Sequence, residues 1–390
     1  MRALFCMISV ALVGLLSCSA APAAIPHAAV ATPVALVSTP PVAFVETPCW
    51  NDLPDGLAAR CGYVTAPENW AKPDGNTIRL AVMILRQATV TPTAAPTFLL
   101  AGGPGQDAIG LFTDLLGHWD QFSRNGYPKA EFEGQLRDWM EFRASMDILV
   151  DDLAKREFVI FDQRGAGYSQ PSLKCRGERY DICYRRLLKS GIDLSAYNTR
   201  ENAADVEAIR AALGYEKINL QGGSYGTRLA LRVMRDFPEH LRAVVLDGVS
   251  PPQVDWVVET VARYDKTMEV VFEHCAADPA CRHAYPNLKR EFYALMTRLE
   301  RQPASMSNGD QLHADAFLEV MWNSLYDVTT IRWLPLIVHE AYGGNFAPLE
   351  TLARLTPDGS GGEAMSWGMN YSVECAEEWS PQHKERLLSA

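Results

Sequence analysis

Ser224 stands in Gly222-Gly223-Ser224-Tyr225-Gly226, with an apolar run before it and a helical pattern after it. A serine hydroxyl attacks a carbonyl carbon when a sharp bend holds it out and a base takes its proton. Lys217-Ile218-Asn219-Leu220-Gln221 reads as a strand, and Thr227 to Phe237 places Leu229, Val233 and Met234 on one helical face before Pro238. The bend between the two reads as a nucleophile elbow. Glycines flank the serine because a side chain there would strike the neighbouring strand or helix. The bare pattern also occurs in ordinary Gly-Ser loops, and the strand and helix on either side set this one apart.

Positioning such a serine takes a sheet. Thr77 to Leu85 is strand-like, and Thr97 to Leu100 is a short apolar strand ending in Ala101-Gly102-Gly103-Pro104-Gly105. Phe158 to Phe161 is another, ending in Asp162-Gln163-Arg164-Gly165-Ala166-Gly167. A helix from about Ala203 to Leu213 buries Val206 and Ile209, and the run Leu241 to Leu246 ends in Asp247-Gly248. Strands alternating with helices imply a mostly parallel sheet flanked by helices, with chemistry at the carboxyl ends of its strands. All three glycine-rich loops fall at such ends. From Pro251-Pro252 onward the character changes: residues 254–367 show helical periodicity and many aromatics, among them Trp256, Phe272, Tyr293, Trp322, Tyr326 and Trp333. A helical cap over the site is the expectation.

Three motifs in this order, Leu100 to Gly105, Asp162-Gln163-Arg164-Gly165-Ala166-Gly167-Tyr168-Ser169 and Gly222 to Gly226, resemble the α/β-hydrolase group that holds proline iminopeptidase and the secreted tripeptidyl aminopeptidases. Tyr371-Ser372-Val373-Glu374-Cys375 is similar to the segment where that family returns from its cap. The resemblance covers roughly residues 49–390 and implies an α/β-hydrolase fold with a cap. Ser224 matches the nucleophile, and the backbone N–H groups of Tyr225 and Gly103 are the expected oxyanion donors. Ala101 stands where many iminopeptidases carry histidine, which weakens any transfer of their proline preference. Asp162 and Arg164 are expected to brace loops, because the Ser-Asp-His chain order places the acid after the nucleophile. In the family, acidic residues near the cap bind the substrate's free amino group; Glu374, Glu377 and Glu378 are the candidates here, and a solvated acidic face explains them equally.

The family also supplies a base and an orienting acid after the cap. Neither a strand followed by Gly-x-x-Asp nor a late Gly-His pair is found here. His274, His283, His313, His339 and His383 read as surface residues, and Asp247 could serve as an acid in a variant arrangement. The expectation is a truncated hydrolase with its nucleophile and oxyanion loop, without its triad Asp and His and without its last core strands.

Length and composition set the frame. A chain of 390 residues with 48% hydrophobic content can bury a large core, and a net charge of −11 argues against nucleic acid. Met1-Arg2 followed by an apolar run to residue 16 reads as a secretory signal. Leu15-Leu16-Ser17-Cys18 resembles a lipobox, in which Cys18 would be lipidated; cleavage after Ala21-Pro22-Ala23 is the alternative. The expected division is a signal at 1–18, an Ala/Pro-rich linker at 19–48, a core at 49–253, a cap at 254–367 and an incomplete return at 368–390. Six cysteines fall into close pairs, Cys49 with Cys61, Cys175 with Cys183 and Cys275 with Cys281, which suits an oxidising compartment; Cys375 is left without a mate. No metal, nucleotide or flavin signature appears, so no cofactor is expected.

An exported serine hydrolase acting on peptides from the amino end is the leading expectation. An esterase or amidase for small acyl compounds is the second. A noncatalytic envelope-anchored binding protein is the third.

Overall fold

The computed structural model of the chain describes residues 43–125, 149, 151–175, 177–254, 256–307, 309–326, 328–355 and 365–378. The signal with Cys18, most of the linker, and His383 lie outside the described residues.

The described chain up to Val254, together with Met365 to Glu378, forms one compact unit. Its sheet is built from β1 (Phe44–Thr47), β2 (Leu57–Pro67), β3 (Thr77–Gln87), β4 (Thr97–Leu100), β5 (Phe158–Phe161), β6 (Ile218–Gly223) and β7 (Leu241–Asp247). Their spatial order is β1-β2-β3-β5-β4-β6-β7. The sheet is mixed: β1 to β3 and the β3/β5 pair run antiparallel, whereas β5, β4, β6 and β7 run parallel. The parallel order expected from alternating strands and helices thus holds only for the half that carries the glycine-rich loops. β1 also corrects the linker reading, since Phe44 to Thr47 pairs with Cys61 to Val64.

Short apolar runs become central strands here because both faces of the sheet are covered. Val82, Ile84, Phe98, Val159 and Phe161 point into one core, and Ala81, Met83, Leu85, Phe158 and Ile160 into another. The first core is closed by α2 (Tyr180–Lys189), α3 (Thr199–Ala212), α4 (Tyr225–Asp236) and α12 (Trp367–Glu377), through Leu187, Val206, Ile209, Leu229, Val233, Met369 and Val373. The second is closed by α1 (Ala108–Asn125), through Ile109 and Leu116. Among the described strands β1 and β7 lie at the two edges, and Val245 on β7 is 59% exposed.

Trp256 to Leu355 forms the second compact unit. It contains α5 (Trp256–Ala277), α6 (Pro279–Ala284), α7 (Leu288–Arg301), α8 (Ala314–Ser324), α9 (Val328–Ile331), α10 (Leu334–Gly343) and α11 (Ala347–Leu355). Phe272, Phe292, Phe317, Met321 and Ile337 lie in its own core, so several of its aromatics serve packing. The helical character matches the periodicity, with one addition: β8 (Ala304–Ser305) and β9 (Gln311–Leu312) pair antiparallel.

Cys49–Cys61, Cys175–Cys183 and Cys275–Cys281 are disulfides, with Cα separations of 5.0, 5.5 and 5.1 Å. Cys375 is disulfide-bonded as well, which corrects its reading as a cysteine without a mate. Among the described residues no helix is long and apolar enough to cross a membrane.

Candidate active site

Ser224 sits between the end of β6 and the first residue of α4, at φ 52° and ψ −122°. No other described non-glycine residue has positive φ. Such a conformation costs about 1–3 kcal/mol and persists only where the surroundings impose it. They do so from both sides. The Ser224 N–H donates to the Asp247 carbonyl at the end of β7 (2.9 Å), and the Ser224 carbonyl accepts from Thr227 N–H (2.9 Å) and Thr227 Oγ1 (2.6 Å). Glycine is required at position 226, where a Cβ would overlap the Leu100 carbonyl oxygen of β4. The serine is therefore forced outward, and it is exposed.

The loop after β4 faces it. A Cβ placed on Gly102 would lie 3.3 Å from the Ser224 Cβ, so the Gly102-Gly103 turn and the serine are in contact. Gly103 has φ 104°, and a Cβ there would crowd Gly105 N and Gln106 N at 2.8 and 3.0 Å. Tyr225 begins α4, where the first N–H groups have no partner within the helix. The Gly102-Gly103 turn and the amino end of α4 thus both lie against the exposed serine.

The loop after β5 is a brace. Asp162 is fully buried and accepts from Ala108 N–H (2.8 Å), Ile109 N–H (3.1 Å) and Tyr168 N–H (2.7 Å). Burial and the charge of Asp107 push its pKa up to about 7 against these three bonds. Arg164 does not pair with Asp162. Its fork grips Asp205 of α3 with two 2.7 Å bonds, and its Nη1 donates to the Glu68 and Ala196 carbonyls (2.5 and 2.7 Å).

The three acidic candidates fall on or just after α12, and the structure separates them. Glu377 accepts from Thr199 N–H (2.6 Å) and Oγ1 (2.9 Å), and lies 3.7 Å from Arg228 of α4. Glu378 is buried against the Arg228 guanidinium. Thr199 Oγ1 bonds in turn to the Tyr225 hydroxyl (2.8 Å), so Glu377 is linked to the residue next to Ser224. Glu374 is half-buried and has no hydrogen-bond or ion-pair partner among the described residues. Burial, then the charge of Glu378, push its pKa up to about 7.

No described imidazole is bonded to Ser224. His240, at the amino end of β7, is bonded to Glu207 (3.0 Å), and His339 to Glu291 (2.9 Å). His274, His283 and His313 are exposed. Asp247 is the last residue of β7, holds Ser224 through its main chain and is exposed. Among the described residues no cluster of His, Cys, Asp and Glu is arranged for a metal ion.

Sequence reasoning missed Ser366 and Asn370, which bond to the loops at Gly105, Gly165 and Pro104. Neither lies in a motif. It also missed Arg228, whose position one turn after Ser224 on α4 was the available signal.

The family profile described as alpha/beta hydrolase fold matches residues 132–324. Serine protease Hip1 of Mycobacterium tuberculosis is 29% identical over 244 residues, covering 60% of this chain and 44% of the relative. Tripeptidyl aminopeptidase of Streptomyces lividans is 30% identical over 234 residues, covering 53% and 37%. Carboxylesterase B of Mycobacterium tuberculosis is 26% identical over 333 residues, covering 73% and 56%. In each case the chain spans less than two thirds of the relative's own length.

Proposed function

We propose, for a chain that belongs to the α/β-hydrolase superfamily, that it is an exported serine hydrolase acting on peptides from the amino end. One observation carries the reading: Ser224 is held at positive φ on an exposed bend, against the Gly102-Gly103 turn. Its Oγ attacks the scissile carbonyl carbon, and the Tyr225 and Gly103 N–H groups receive the charge that develops on oxygen. A general base takes the Oγ proton and returns it to the leaving amine, and water then releases the acyl group. Among the described residues no imidazole bonds to Ser224, so none of them is assigned as that base; Asp247 is the described carboxylate at the neighbouring strand end.

Preference for a free amino terminus is supported by Glu374, a carboxylate that no described cation neutralises. It is further supported by likeness to a relative named tripeptidyl aminopeptidase. Likeness to a carboxylesterase keeps small acyl esters as the competing substrate class. Export is supported by the disulfides, which persist in oxidising compartments, and by the apolar leader.

The protein purified from the cells that make it should react with a fluorophosphonate, and the adduct should map to Ser224. Ser224→Ala should abolish it. An adduct on another residue, or one that survives the substitution, would sink the assignment. Faster turnover of aminoacyl-arylamides than of their N-acetylated forms or of short acyl esters would establish the amino-end preference.

A further inference from the structure

We propose that Ser366 and Asn370, at the start of α12, are positioning residues that hold the oxyanion loop in its working geometry; this rests on the assignment of Ser224 as nucleophile. The loop from Ala101 to Gln106 has no regular partner strand, yet three of its carbonyl oxygens are held from outside. Ala101 O accepts from Gln163 Nε2 (3.0 Å), Pro104 O from Asn370 Nδ2 (3.2 Å) and Gly105 O from Ser366 N–H (2.8 Å). The peptide unit that carries the Gly103 N–H lies between these pinned units.

Ser366 makes a second tie. Its side chain is fully buried and its Oγ donates to the Gly165 carbonyl (2.7 Å), so one residue joins the loop after β4 to the loop after β5. Asn370 is also buried and follows one turn later, with its own N–H bonded to the Ser366 carbonyl (2.9 Å). Met365 completes the contact by bridging to Gln106, with its sulfur 3.4 Å from where a Gly103 Cβ would be. A Cβ on Gly105 would lie 2.6 Å from Ser366 O, so the loop and the start of α12 touch without room for a side chain.

This matters for catalysis because a donor stabilises a developing oxyanion only if it already points at it. Losing one such donor outright costs about 10²–10³ in kcat, and a misplacement of about 1 Å costs up to about 10². Ground-state binding makes little use of the same donors. Loosening the clamp should therefore lower kcat and leave KM nearly unchanged.

The test compares wild-type protein, purified from the cells that make it, with Asn370→Asp and Ser366→Ala. Asn370→Asp keeps the shape but faces Pro104 O with an acceptor. Ser366→Ala keeps the main-chain bond and removes the tie to Gly165. Turnover of an aminoacyl-arylamide should show kcat down about 10- to 100-fold for Asn370→Asp and a few-fold for Ser366→Ala, with KM within about twofold. Affinity for a peptide aldehyde, which forms a tetrahedral adduct, should fall in proportion to kcat. Amide hydrogen exchange across residues 101–106 should accelerate in both variants, with the thermal midpoint as the check on global folding. Unchanged kcat, a change in KM alone, or unchanged exchange in folded variants would overturn the proposal. The exchange measurement does not depend on Ser224, so wild-type protein that fails to acylate would refute the nucleophile while exchange still decided whether the clamp exists.

Discussion

Two buried arginines in the same unit, Arg164 and Arg228, meet carboxylates in different ways. Arg164 has every branch of its guanidinium engaged, by Asp205 on one side and by main-chain carbonyls on the other. Arg228 shares Glu377 and Glu378, reaches Pro251 O and Val254 O only at 3.4 and 3.2 Å, and leaves its Nε buried without a partner. Through Tyr225 and Thr199 its cluster extends to Asn202, whose Oδ1 is also unpaired, and Glu374, one turn before Glu378, has no described cation. A closed polar cluster has nothing left to offer a ligand, and its work is to fix loops. An open one retains carboxylate and acceptor capacity, and that is what an incoming ammonium requires.

The sharpest way to break this contrast is to remove Arg164. Arg164→Met strands the buried Asp205 carboxylate and should cost about 3–5 kcal/mol, enough to unfold much of a marginal domain; Arg164→Met with Asp205→Leu should recover most of it. Thermal unfolding followed by circular dichroism checks both, and equal loss in single and double variants would show that the pair is not the source. Glu378→Gln should cost less, about 2 kcal/mol, because Glu377 remains 3.7 Å from the guanidinium. A cost as large as that of Arg164→Met would erase the distinction.

Glu374→Gln should leave folding intact and raise KM for a free-amine peptide about tenfold, which is 1.4 kcal/mol, without changing KM for its N-acetylated form. Equal changes in both substrates would remove the ammonium role. The same residue carries a pH signature. Its carboxyl titrates near 7 in the folded protein and near its ordinary value of 4.5 in the unfolded chain, so the folded state binds more protons between these pH values. Stability should therefore fall as pH rises from about 4.5 to 7, and this part of the slope should vanish in Glu374→Gln. Ionisation is what attracts an ammonium group, so affinity for a free-amine substrate should rise through the same window while N-acetylated substrate stays flat.

The elbow was legible because its demands are local: a strand period, a helix period and small residues at the bend all lie within about twenty positions. The glycine-rich turn after β4 was legible for the same reason. The partners of Arg164 were not, since Asp205 is 41 residues away and Glu68 is 96, and nothing in either stretch marks it as a recipient. Ser366 and Asn370 act at separations of 201 and 266 residues through two ordinary side chains. β1 was hidden by its length of four residues in an Ala- and Pro-rich context, and it exists because β2 offers it an edge. Glu374, Glu377 and Glu378 looked alike in the sequence, and only burial and the reach of Arg228 tell them apart.

The row of backbone groups along Leu241 to Asp247, unmatched by any described strand, bears on how the protein behaves in a tube. An extended peptide of almost any composition can zip onto such a rim, and Val245 gives it grease to settle on. Seven residues make a rim about 23 Å long, and pairing along it adds to what net charge sets in concentrated samples. A lysine at position 245 is the modest change that would keep concentrated samples clear.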